Sequence, residues 1–132
     1  MPAERHASCS CGQLSLTTLG EPVRVSVCHC RACQRRTGSV FGVQARFPEA
    51  AVTVRGQGRE YRRGSDDGHR ITQCFCPVCG TTVCYRNDSL PGMVGVPVGG
   101  FADPAFPPPV VSVYGERRHL WVKLPEGIVD HE

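Results

Sequence analysis

Nowhere does the sequence run to the roughly 20 successive apolar residues that a membrane helix needs. Its opening, MPAERHASCSC, also lacks the apolar core of a secretory signal. A soluble, cytoplasmic protein without membrane contacts is therefore expected. Charge is sparse, at 20% of residues, and aromatics make up 7% with a single tryptophan, Trp121. An apolar share of 40% argues against a disordered chain all the same. Long helices are excluded by 15 glycines and 11 prolines among 132 residues, which predicts a mainly β chain with many turns. No repeat of about 20 to 50 residues is present, so solenoids drop out. A chain this short builds one hydrophobic core more readily than two, and residues 1–132 are expected to form a single domain.

Cysteine is what the chain has in excess, with Cys9, Cys11, Cys28, Cys30, Cys33, Cys74, Cys76, Cys79 and Cys84. An odd number of cysteines without an export signal favours metal over disulfides. Eight of the nine fall in close-spaced groups, which metal ligation requires and a disulfide framework does not. This changes the reading of charge, because coordinating thiols are deprotonated. Seven thiolates on two zinc ions would bring the formal charge of +3 close to neutrality. The pI of 8.4 then says little for a nucleic-acid or membrane partner, and the scattered pairs Arg35-Arg36, Arg62-Arg63 and Arg117-Arg118 read as solvated loop charge.

Alternating or β-branched runs predict strands at Gln13–Leu19, Val23–Val27, Phe41–Phe47, Val52–Arg55, Thr82–Arg86, Met93–Val98, Val110–Tyr114 and Leu120–Leu124. Gly20-Glu21-Pro22, Gly56-Gln57-Gly58, Gly64–Gly68 and Pro91-Gly92 supply turns between them. Arg31–Thr37 is the one helical turn, with Gly38 placed to close it, and Pro107–Pro109 is a surface connection.

The cysteine groups differ in kind. Cys9-Ser10-Cys11 and Cys76-Pro77-Val78-Cys79 are each followed at once by glycine, Gly12 and Gly80. A zinc knuckle turns its amides towards sulfur, and glycine at the next position adopts positive φ without steric cost. The two pairs are expected to join as one closed four-thiolate structural zinc. Cys28-His29-Cys30-Arg31-Ala32-Cys33 is followed instead by Gln34, so a helix can start there and its N-terminus can stabilise thiolate. Three protein ligands leave a zinc position open, the arrangement of catalytic sites. A second closed site completed by Cys74, Cys84 or His29 is the alternative. Alternation along an extended Cys-His-Cys segment turns His29 away from its neighbours, towards a supporting or solvent-exposed place. Cys74 reads as a free thiol or extra ligand, and Cys84 as a small buried apolar residue.

In these residues the chain resembles the glutathione-dependent formaldehyde-activating enzyme family, which includes centromere protein V-type proteins. The resemblance is carried by Cys9-x-Cys11-Gly12, Cys28-His29-Cys30-x-x-Cys33 and Phe75-Cys76-x-x-Cys79-Gly80, with Gly99-Gly100-Phe101-Ala102-Asp103-Pro104 and His119-Leu120-Trp121 behind them. It implies an antiparallel β-tent of two sheets with at most one short helix, pinned by two zinc ions. Cys9, Cys11, Cys76 and Cys79 match the family's structural ligands, and Cys28, Cys30 and Cys33 its catalytic ones; His119–Trp121 matches a late strand. It implies also a carbon-sulfur lyase whose zinc activates a small thiol, glutathione, for addition to or release from a small aldehyde, formaldehyde.

A thiol entering an open zinc position loses its proton and becomes nucleophilic at neutral pH, so a thiol cosubstrate follows from the metal alone. Gln34–Ser39 and Phe41 are the expected cavity wall, and one of Arg35 and Arg36 the holder of the thiol's carboxylate. Two other readings remain: a binding module with both metals structural, and a thiol redox enzyme of the methionine sulfoxide reductase B type built on Cys30-x-x-Cys33.

Overall fold

The computed structural model describes residues 3–65 and 67–131, which form two sheets and one α-helix. The smaller sheet has the order β1 (Glu4–Ser8), β2 (Ser15–Leu19), β5 (Val52–Arg55). The larger is built from β3 (Arg24–Cys28), β4 (Gly42–Pro48), β6 (Arg59–Gly64), β7 (Arg70–Phe75), β8 (Thr82–Asn87), β9 (Met93–Pro97), β10 (Val111–Val113) and β11 (Val129–His131). Its strand order is β11-β10-β3-β4-β9-β8-β7-β6, antiparallel except where β10 lies parallel to both β3 and β11. Helix α1, Arg31–Thr37, follows β3 directly and is closed by Gly38 in the left-handed region at φ 74°. Among the described residues no helix is long and apolar enough to cross a membrane.

Seven of the eight expected strands are present, with ends shifted by a residue or two. Leu120–Leu124 is the exception. There the Val122 N–H closes a turn onto the His119 carbonyl at 3.0 Å, only Val122 is buried, and Trp121 is 70% exposed. Strands β1, β6, β7 and β11 were not expected from the sequence. In β1 only Ala7 is buried, and β6, which reads Arg-Glu-Tyr-Arg-Arg-Gly, buries none of its residues fully. Edge strands such as β1, β6 and β11 need little apolar content, and the hydrophobic pattern therefore misses them; β7 is interior, but its Arg-Ile-Thr-Gln-Cys-Phe carries few apolar residues as well.

The faces of the larger sheet have opposite characters. On one face Val25, Ala45 and Val96 are cross-strand neighbours, as are Phe47 and Val94, and they pack with Leu14, Leu16 and Phe101 into the main core. The intervening residues must point the other way, because strand side chains alternate. That puts Arg24, Ser26 and Cys28 of β3 beside Arg46, Gln44 and Gly42 of β4 on the second face. One lateral row runs Arg24, Arg46, Gly95, Tyr85, Gln73 across five strands. Gly95 is essential to it: a Cβ at this position would collide with the Tyr85 ring, so the phenol lies flat across β9 only because the glycine is bare.

Gly95→Ala is accordingly expected to cost about 1–3 kcal/mol by chemical denaturation, as overpacking does. Removing the ring in the same background, with Tyr85→Ala, should recover most of that loss. Additive costs for the two substitutions would show that they do not share this contact.

Candidate metal centres

Two glycine-closed turns build the first cysteine cluster. In one, the Gly12 N–H bonds the Cys9 carbonyl at 3.2 Å and the Leu14 N–H points at Cys9 Sγ at 3.3 Å. In the other, the Gly80 N–H bonds the Cys76 carbonyl at 2.8 Å and the Val78 N–H points at Cys76 Sγ at 3.4 Å. Gly12 and Gly80 sit at φ 85° and 82°, as the glycine placement anticipated. Thr81 locks the turns together, its Oγ1 lying 3.2 Å from the Ser10 N–H and 3.4 Å from Cys79 Sγ. Hydrogen bonds from the Thr81 hydroxyl and the Thr81 backbone N–H hold the Cys79 thiol down at about 5.

The sulfurs of Cys9, Cys11, Cys76 and Cys79 all lie within 4.8 Å of one another. Cys9–Cys11 and Cys11–Cys76 are each 3.7 Å apart. Zn–S bonds of about 2.3 Å in a tetrahedron put sulfurs about 3.8 Å apart, so the donor set fits the ion that the chemistry of four thiols prefers. Gln13, which the sequence did not single out, donates to Cys76 Sγ at 2.9 Å and to the Gln57 carbonyl at 2.7 Å, tying the cluster to the β5–β6 connection.

The second cluster is Cys28, Cys30 and Cys33, all buried and again mutually within 4.8 Å. Cys28 ends β3, and Cys30 caps α1 by accepting the Cys33 N–H at 3.3 Å. Hydrogen bonds from the Cys28 and Cys33 thiols hold Cys30 down at about 2, while the bond to Cys30 pushes Cys28 up. No fourth His, Cys, Asp or Glu joins the triad among the described residues. His29 is not exposed but completely buried: it turns away, bonds Ser112 Oγ through Nε2 at 3.1 Å, and packs edge-on against Phe41. Burial lowers its pKa, which keeps the ring neutral. Cys74 faces Cys84 across β7 and β8, outside both clusters, and burial pushes Cys84 up to about 12. Cys84 thus packs as the apolar residue anticipated.

A cavity of about 180 Å³ opens beside the triad on the second face of the large sheet. Its walls differ from those expected. Arg36 alone of Gln34–Ser39 lines it; neither Arg35, which is exposed, nor Phe41 does. Most of the remaining wall comes from the face of the sheet, with Arg24 and Ser26, Gln44 and Arg46, Gln73 and Tyr85, and Ser65, Asp67 and Leu90 add to it from the connections. Gln44 holds Arg36 through its amide oxygen, 2.9 Å from Nη2, and donates to the Gly42 carbonyl at 3.2 Å, the amide orientation that satisfies both ends. Burial pushes the Tyr85 phenol up to about 12, so it stays protonated. Tyr114 adds a further wall, in the left-handed region at φ 54°, a strained conformation for an aromatic residue. Polar residues at every second place of Arg24-Val25-Ser26-Val27-Cys28 were the available sequence signal for these walls.

The model of the family described as glutathione-dependent formaldehyde-activating enzyme matches residues 4–117. No curated protein matches the chain significantly. A crystal structure of a Rhodobacter sphaeroides protein superimposes with a TM-score of 0.57 at 24% identity, covering 72% of this chain and 85% of the other. The second likeness supports the fold.

Disruption of the four-cysteine cluster is expected to be severe, since metal in such a site contributes roughly 10 kcal/mol or more to folding. Cys79→Ser should lose one metal equivalent by elemental analysis and much of its thermal stability. Wild-type metal content together with an unchanged melting temperature would contradict the assignment.

Proposed function

The chain belongs to the glutathione-dependent formaldehyde-activating enzyme family, and on that premise we propose that it joins a small thiol to a small aldehyde, acting in the carbon-sulfur lyase sense when the adduct is released. Cys9, Cys11, Cys76 and Cys79 hold a structural zinc, and Cys28, Cys30 and Cys33 a catalytic one. The observation that carries this reading is the contrast between the clusters: one has four converging sulfurs, the other three beside a cavity. Zinc at the triad supplies a Lewis acid that lowers the pKa of an entering thiol and so makes it nucleophilic at neutral pH.

The reaction is an addition. The thiol sulfur bonds to the aldehyde carbon, the carbonyl π bond becomes a C–O single bond, and the thiol's proton ends on that oxygen. With glutathione and formaldehyde the product is S-hydroxymethylglutathione. The chain's own residues hold and shield the partners: the protonated Tyr85 offers a hydrogen-bond donor inside the cavity, and Gln44 fixes Arg36 beside Cys33. A guanidinium fixed there is suited to a carboxylate, which it can bind through two parallel bonds.

Cys30→Ser is expected to lose thiol-dependent activity and one metal equivalent while its circular dichroism stays near native. Unfolding as complete as that of Cys79→Ser would instead make both sites structural. In the cobalt-substituted wild type, glutathione should shift the visible absorption spectrum.

Between the two arginines on α1, Arg36→Ala should weaken glutathione binding by about 1–3 kcal/mol, the scale of a lost charged hydrogen-bonding pair, and Arg35→Ala should not. Cysteamine, a thiol without a carboxylate, should bind both variants like wild type. Equal losses for the two thiols would remove the carboxylate role from Arg36.

A further inference from the structure

We infer that Arg24 and Arg46 form a carboxylate subsite that holds the far end of an extended thiol whose sulfur sits at the cysteine triad. This rests on the thiol-activation reading above and deepens it, by giving the substrate a required length and a second anchoring charge.

Arg24 and Arg46 are direct cross-strand partners on the cavity face of β3 and β4. Like charges directly opposite one another destabilise a sheet pair. No ion pair among the described residues offsets that, although Asp67 lines the same cavity. Arg24 Nε is buried without a hydrogen-bond partner. Burial, and then the Arg24 charge, lower the pKa of Arg46, an independent sign that the two guanidinium groups repel in a poorly solvated place. A carboxylate between them would satisfy the orphaned donor and relieve the repulsion together, through the bidentate geometry that guanidinium groups favour.

The pair has a defined position relative to the triad. Arg24 lies four residues before Cys28 on the same strand, so their Cα atoms are about 13 Å apart at a strand rise of 3.2–3.4 Å. Arg24 and Arg46 also border a broader groove of about 920 Å³, whose lining includes the carboxylates of Asp67, Glu116 and Asp130. A thiol whose carboxylate is two carbons from sulfur is too short to engage the triad and this pair together. One whose carboxylate is a peptide unit or more away can reach, since each extended residue spans up to about 3.3–3.6 Å and both arginines line the same cavity as the triad. The substrate class so defined is an extended thiol with a peptide-like spacer and a terminal carboxylate.

The test separates the subsite from the metal chemistry. S-methylglutathione, which has the carboxylates but no thiol, is titrated calorimetrically into wild type, Arg24→Gln, Arg46→Gln and the double variant, alongside its diethyl ester. At least a tenfold loss of S-methylglutathione affinity is expected in the double variant, with intermediate losses in the single ones and no change for the ester. The double variant should also melt no lower than wild type, because it loses a repulsion; a residue with only a structural role would not behave so. No binding of S-methylglutathione to wild type, equal affinity in the double variant, or an equal loss for the ester would each overturn the subsite. If glutathione leaves the wild-type cobalt spectrum unchanged, thiol activation fails, and the calorimetry still decides the arginines.

Discussion

Convergence of four sulfurs from two distant turns is the constraint on which the architecture depends. Cys9 and Cys11 stand at the entry to β2, Cys76 and Cys79 between β7 and β8, and they meet at 3.7 Å although 65 residues separate Cys11 from Cys76. One turn belongs to the small sheet and the other to the large one, so the cluster fixes how the sheets face each other. The main core lies between them, and Cys9 and Cys76 are members of it. A chain of this size buries a modest fraction of its surface, and metal at such a junction supplements what hydrophobic packing alone provides.

From that frame the second cluster gains its character. Cys28 is fixed by β3 and by β10, whose parallel pairing sets Val113 opposite it, while Cys30 and Cys33 are fixed by the first turn of α1. The sulfurs are thus held by regular elements, and the fully buried His29–Ser112 bond braces the segment from behind. Preorganisation of this kind is what a site needs if binding is not to be weakened by ordering the ligands each time.

Some of this was legible in the residues and some was not. Helix α1 could be read to its last residue because its signals are local: helix formers from Arg31 and a glycine at the C-cap. The partition of seven cysteines into four and three was equally local, resting on Gly12 and Gly80 against Gln34. The cavity was not legible, since its walls depend on register: Arg24 meets Arg46, and Arg46 meets Gly95, only once three strands have paired. Sequence neighbourhood pointed instead to Gln34–Ser39 and Phe41, of which only Arg36 reaches the cavity. Leu120–Leu124 misled in the opposite direction. Its apolar residues satisfy the strand pattern, but among the described residues no neighbouring strand pairs with them, and Trp121 and Leu120 remain exposed.

The two-faced larger sheet has a consequence for how such a protein can diverge. Val25, Ala45 and Phe47 carry stability on one face, while Arg24, Gln44 and Arg46 meet the cavity on the other, interleaved residue by residue in the same two strands. Exchanging a side chain on the cavity face leaves the packing on the core face untouched, so mutations that retune what the cavity accepts need not be purged for unfolding the chain. Within such a scaffold the cysteine clusters can persist while the cavity lining drifts, and a shared cysteine framework predicts shared chemistry more securely than a shared substrate.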